Sequence, residues 1–189
     1  MIFVRVLFVS SRISNLYHED TDFVRERFLV NVKVGDKAPD FTLFDVNMAP
    51  CNLYDFLGKK VVITFFVGAF TSTCTKEACE FRDSMARLTN LNAQVIGISV
   101  NDPFTNKSFA EKNMLPYPVL SDYNREVIRR YGIEQENFAG MRGYTVARRS
   151  IIIVDEEGVI CYIWVSDNTD EEPNYEEIQR VLTGSNVKV

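Results

Sequence analysis

The chain has 189 residues, enough to bury a sizeable core in one domain, and its 46% hydrophobic and 25% charged content excludes disordered and fibrous classes. A formal net charge of −5 offers no basic field, so neither nucleic acid nor an anionic membrane surface is expected as a partner. Four cysteines without a CxxC pair and one histidine, His18, exclude a disulfide scaffold and supply no compact ligand set, so no metal or other cofactor is expected.

No stretch reaches the roughly eighteen apolar residues of a membrane span. The opening Met1–Val9 carries Arg5 in its middle and is not followed by a small-residue cleavage pattern, so the expected location is the cytoplasm. Residues 1–31 read as an N-terminal extension. Within it, either Ile2–Val9 is a short strand and Asp20–Val30 a charged helix, or the whole segment is loosely held.

From residue 32 onward the pattern is that of one α/β domain. Phe41–Asp45 alternates as a strand, and Cys51–Gly58 reads as a strand end and a helical turn closed by glycine. Val61–Val67 is apolar and β-branched enough for a buried strand. After it, the apolar positions of Glu77–Leu88 recur at helical spacing, so Cys74 falls where a strand hands over to a helix. The first turn of a helix has unpaired N–H groups and the positive end of the dipole, both of which favour an anion, so a cysteine there is placed to react as a thiolate.

Ala93–Val100 is a second buried strand, followed by the turn Asn101–Pro103 and a helix over Phe104–Asn113. Val119–Asp122 is a brief strand, and Arg125–Tyr131 a helix that Gly132 ends. Ser150–Asp155 and Val159–Val165 form a hairpin, and Asn174–Thr183 a closing helix. Alternating strands and helices favour parallel pairing early and the hairpin must be antiparallel, which predicts a mixed central sheet flanked by helices.

The stretch Phe65–Glu77 resembles the active-site motif of the peroxiredoxins, Pro-x-x-x-Thr-x-x-Cys. Gly35–Leu43 is similar to the family's opening strand, and Arg149–Gly158 to its arginine-bearing strand and hairpin, so the resemblance runs in order over roughly residues 32–183. It implies a thioredoxin-like fold for residues 32–189. The spacing of Cys74 and Cys79 is closest to the bacterioferritin-comigratory-protein and alkyl hydroperoxide reductase E type. One departure stands out: Val67 occupies the motif proline's position, which predicts a less shielded pocket.

The resemblance implies a thiol-dependent peroxidase acting on hydrogen peroxide and organic hydroperoxides, with Cys74 as the peroxidatic residue. Its thiolate would attack a peroxide oxygen and become a sulfenic acid. The Thr71 hydroxyl, nearby backbone N–H groups and the Arg149 guanidinium are the expected donors to the leaving oxygen, and Glu77 the residue that orients the arginine. Cys79 is the expected resolving thiol. Five residues along a helix amount to about 7.5 Å of rise and about 140° of rotation, beyond normal disulfide reach, so the helix start must unwind before the two cysteines bond. A thioredoxin-like or glutaredoxin-like protein would then return the electrons, and a homodimer or larger homo-oligomer is the expected assembly.

Other readings stay open for several of these residues. Glu77 also suits a plain acid near a helix N-terminus, and Cys79 a core residue on the inner helix face. Arg148 reads as a solvated strand charge or a dimer contact, on the face opposite Arg149. Cys51 and Cys161 read as packing residues. The alternative functions are a disulfide oxidoreductase on the same fold, which would ordinarily use CxxC, and a holdase or assembly protein without turnover.

Overall fold

The computed structural model describes residues 30–184. The expected strand over 2–9, the helix over 20–30 except for Val30, and His18 lie outside the described residues.

The described elements follow the expected order: β1 (Thr42–Phe44), β2 (Pro50–Asn52), a 3-10 turn (Leu53–Phe56), β3 (Lys60–Phe65) and α1 (Ser72–Asn90). Then come β4 (Ala93–Ser99), α2 (Pro103–Asn113), β5 (Val119–Ser121) and α3 (Glu126–Tyr131). Two further short strands, β6 (Glu134–Gln135) and β7 (Val146–Ala147), precede β8 (Ser150–Val154), β9 (Ile160–Val165) and α4 (Tyr175–Leu182). The termini of the helices follow their local chemistry. Asp102 caps α2 by accepting from the Phe104 and Thr105 amides, with Pro103 at the first helical position, and Gly132 ends α3 in the left-handed conformation.

One seven-stranded sheet runs in the order β2-β1-β5-β4-β3-β8-β9. β3, β4 and β5 pair parallel, whereas β8 runs antiparallel to β3 and to β9, so the sheet is mixed and the fold thioredoxin-like. The central strands are buried along their length, which explains why they read as apolar runs without alternation. Successive side chains of β3 still diverge. Phe65 packs on Tyr131 of α3, while Thr64 and Phe66 line a cavity with Cys74 of α1 and Phe109 of α2. The sheet therefore carries helices on both faces, and the end of β3 points its polar Thr64 at α1.

Two expectations need correction. β8 begins at Ser150, so Arg148 and Arg149 do not share a strand; they occupy the link between β7 and β8, and both are buried. β7 pairs with β6 outside the main sheet, which breaks the strand alternation the expectation relied on. Arg148 is accordingly a buried partner of Asp167 and not a solvated strand charge. Cys161 is also not a packing residue: its neighbours Ile160 and Tyr162 both turn inward, and strand alternation leaves Cys161 exposed, its thiol donating to the Ile153 carbonyl at 3.4 Å. Cys51 sits half-buried on the edge of the sheet, opposite Leu43.

Candidate active site

The site is assembled where β3 ends. After Phe65 the chain turns through Val67–Phe70, and Phe70 adopts a left-handed conformation at φ 68°. The turn is held from the side by Asn101, whose Oδ1 accepts the Ala69 amide at 2.9 Å. Phe70 sets its ring edge-on against Phe109, which in turn lies against Phe66. Thr71 is then the N-cap residue of α1, and Cys74 falls in the first helical turn as expected.

Glu77 follows one turn later on the inward face and is 1% exposed. It accepts from two directions: the Thr64 hydroxyl of β3, and Nη1 of Arg149. Arg149, itself 1% exposed, arrives from the link into β8, whose first residue pairs with Phe65 at the end of β3. That register brings the guanidinium beside Cys74: Nη2 lies 3.3 Å from Sγ and also donates to the Thr169 carbonyl at 2.8 Å, which Nε reaches at 3.3 Å. Cys74 is 1% exposed, with Val67 at the motif proline's position. Val67 is itself buried there.

Charge placement follows from this geometry. Burial pushes the Glu77 carboxyl above its ordinary value, opposed by the Arg149 guanidinium and the Thr64 hydroxyl. For Arg149 burial works against the charge, but Glu77 and the Cys74 sulfur outweigh it and the guanidinium stays charged. A charged donor fork anchored by Glu77 and Thr169 on one side and open to sulfur on the other suits an anion forming at Cys74.

Behind Cys74 a narrow apolar cavity reaches in between Phe66, Phe109, Tyr117 and Val119, with Gly97 at its floor. A Cβ on Gly97 would sit 3.5 Å from Phe66 and 3.6 Å from Tyr117. The Tyr117 hydroxyl donates to the Ala78 carbonyl at 3.1 Å, tying β5's approach to the middle of α1.

Of the expected site residues, Cys74, Glu77 and Arg149 come together directly. Thr71 stands at the head of the helix with its hydroxyl donating to the Gly68 carbonyl at 3.1 Å. Cys79 is half-buried on α1 beside α2, its sulfur 3.9 Å from Asn113 Oδ1, and neither it nor Cys74 is in a disulfide. Thr64 and Thr169 were missed. Thr64 had a signal, a lone hydroxyl in an otherwise apolar buried strand; Thr169 acts through its carbonyl and had none. Among the described residues no group of three or more His, Cys, Asp or Glu side chains is placed to hold a metal, and no helix is long and apolar enough to cross a membrane.

The model of the AhpC/TSA family matches residues 34–163. Chloroplastic peroxiredoxin Q of Populus jackii is 33% identical over 159 residues, covering 84% of this chain and 72% of that one. Its counterpart from Gentiana triflora is 35% identical over 157 residues, with 83% and 70% covered. The crystal structure of peroxidoxin BcpB from Mycobacterium tuberculosis superposes with a TM-score of 0.69 at 28% identity, covering 80% of this chain and 95% of that one.

Proposed function

The chain belongs to the AhpC/TSA family, the peroxiredoxins, and from that premise we propose that Cys74 is its peroxidatic residue, Arg149 its catalytic arginine and Cys79 its resolving thiol. As a member it is a thiol-dependent peroxidase whose substrate is a hydroperoxide. What supports Cys74 over the other three cysteines is the Arg149 guanidinium 3.3 Å from its sulfur, held by a buried carboxylate.

In the reaction, the Cys74 thiolate attacks the distal oxygen of the hydroperoxide. The O–O bond breaks, sulfur gains the hydroxyl as a sulfenic acid, and the departing oxygen leaves as water or an alcohol after taking up a proton. Arg149 Nη2 donates to the charge developing on the oxygens, with Nη1 fixed on Glu77 so that the fork does not reorganise. Glu77 is a positioning residue, oriented in turn by Thr64. The Thr71 hydroxyl, bound to the Gly68 carbonyl, turns to the substrate oxygen when the pocket is filled.

The sulfenic sulfur is next attacked by the Cys79 thiolate, which forms the disulfide and releases hydroxide. Both cysteines belong to α1, so the turns between them must open first. A thioredoxin-like or glutaredoxin-like dithiol reduces the product, which calls for a reducing compartment such as the cytoplasm. Residues 32–189 act as one catalytic domain and residues 1–31 as an extension, with a homodimer or larger homo-oligomer as the assembly.

The test is peroxide consumption by the purified protein in the presence of thioredoxin and its reductase. Cys74→Ser abolishes turnover, whereas Cys79→Ser retains one oxidation per chain and turns over only with a small external thiol. Unchanged consumption by Cys74→Ser would overturn the assignment.

A further inference from the structure

The segment Ser166–Asn174, which joins β9 to α4, crosses the active site, and together with Tyr175 at the head of α4 it contacts α1 inside the stretch that must open and just beyond it. The Thr169 carbonyl accepts from Nε and Nη2 of Arg149. Three residues on, Glu172 divides its carboxylate: Oε1 pairs with Lys76, between Cys74 and Glu77 on α1, and Oε2 accepts the Tyr175 hydroxyl at 3.0 Å. Tyr175 then lays its ring edge-on against Phe81, with centroids 5.7 Å apart, just past Cys79. The strap has its own shape. The Ser166 amide donates to the Arg149 carbonyl at 2.9 Å, its hydroxyl meets the Glu171 carboxylate, and Pro173 is buried.

Resting on the resolving role of Cys79, we propose that Glu172 and Tyr175 are positioning residues that latch the first turns of α1 and so set the rate at which Cys79 reaches oxidised Cys74. Lys76 lies inside the 74–79 stretch and Phe81 just outside it, so the stretch cannot unwind without giving up the Lys76 contact. The peroxide step, in contrast, takes place with the latch closed, because the strap carbonyl is one of the anchors of Arg149. The latch therefore divides the sulfenic acid between two fates. Attack by Cys79 forms an S–S bond and expels hydroxide, while attack on a second hydroperoxide adds oxygen to the Cys74 sulfur as sulfinic acid and releases water or alcohol. A tight latch favours the second fate at high peroxide.

The ion pair is largely solvent-facing on the lysine side, so its contribution is modest and screened by salt. Lys76→Met is expected to speed disulfide formation roughly twofold, and Glu172→Gln, which weakens both the lysine and the tyrosine contacts, roughly fivefold. The initial oxidation of Cys74 should keep its rate, because neither residue touches sulfur or Arg149.

The experiment is rapid-quench oxidation of the full chain with hydrogen peroxide, alkylation, and mass spectrometry of the peptides carrying Cys74 and Cys79. Wild type, Lys76→Met, Glu172→Gln and Tyr175→Phe are compared at low and high ionic strength. The latch predicts faster linkage and less sulfinic acid in all three variants, and a wild-type linkage rate that rises with salt while that of Glu172→Gln does not. Equal linkage rates in wild type and variants would overturn the latch while leaving Cys79 as the resolving thiol. Absence of a Cys74–Cys79 link in wild type would overturn the resolving role and the latch with it.

Discussion

Arg149→Met removes the guanidinium but keeps most of the side chain's volume. Both members of the Arg149–Glu77 pair are 1% exposed, so the change leaves a carboxylate buried without its cation, a class of defect that costs about 3–5 kcal/mol. The Thr169 carbonyl also loses two donor contacts, adding about 1 kcal/mol. Glu77 has an escape, which is to take up a proton. Burial already holds its carboxyl above the ordinary value, and losing Arg149 removes the main opposing influence. A carboxyl raised in the folded state contributes stability that is complete below its unfolded value, about 4.3, and is lost as pH rises through the folded value. Urea unfolding of Arg149→Met followed by circular dichroism should therefore show a smaller deficit at pH 5 than at pH 8. The double variant with Glu77→Gln should regain most of the stability at pH 8. Peroxide reduction should fall about 10²- to 10³-fold in both variants, since the donor beside Cys74 is gone in each. A deficit independent of pH, or peroxide reduction restored in the double variant, would refute the assignment of Glu77 as support and Arg149 as donor.

Two further outcomes follow from the scaffold. Asp102→Ala removes the side-chain cap of α2 and should cost about 1 kcal/mol in urea unfolding. The Thr105 hydroxyl and amide hold the Asp102 carboxyl below its ordinary value, so this contribution is present above about pH 4 and disappears as pH falls through the folded value; wild type and variant should converge in acid. Phe109→Ala empties the space between Phe66 and Phe70 behind Cys74 and should cost about 3–5 kcal/mol, measured as a lower urea midpoint at unchanged slope.

The strand-to-helix junction at Cys74 was legible because β3 is a long apolar run and α1 has a clear helical period, both local signals. The mixed sheet followed from element order. What the sequence hid depends on contacts distant along the chain. The strand expected through Arg148 is interrupted because β7 pairs with β6 and not with the main sheet, and a pattern of single residues carries no sign of that choice. Cys161 alternates with the buried Ile160 and Tyr162 on the edge strand β9, and an apolar run by itself does not say which of its two faces is covered. The strap over residues 166–174 has no periodicity, and its most important group, the Thr169 carbonyl, is backbone that any residue would supply. Cys79 was legible as a candidate by its spacing from Cys74, but its neighbour Asn113 is supplied by α2, a separate element.

The most direct measurement treats the reduced protein with one equivalent of hydrogen peroxide, digests it without reductant and identifies the state of each cysteine by mass spectrometry. The account predicts a linked peptide joining Cys74 to Cys79, with Cys51 and Cys161 still reduced. An unmodified Cys74 after the peroxide has been consumed would contradict it.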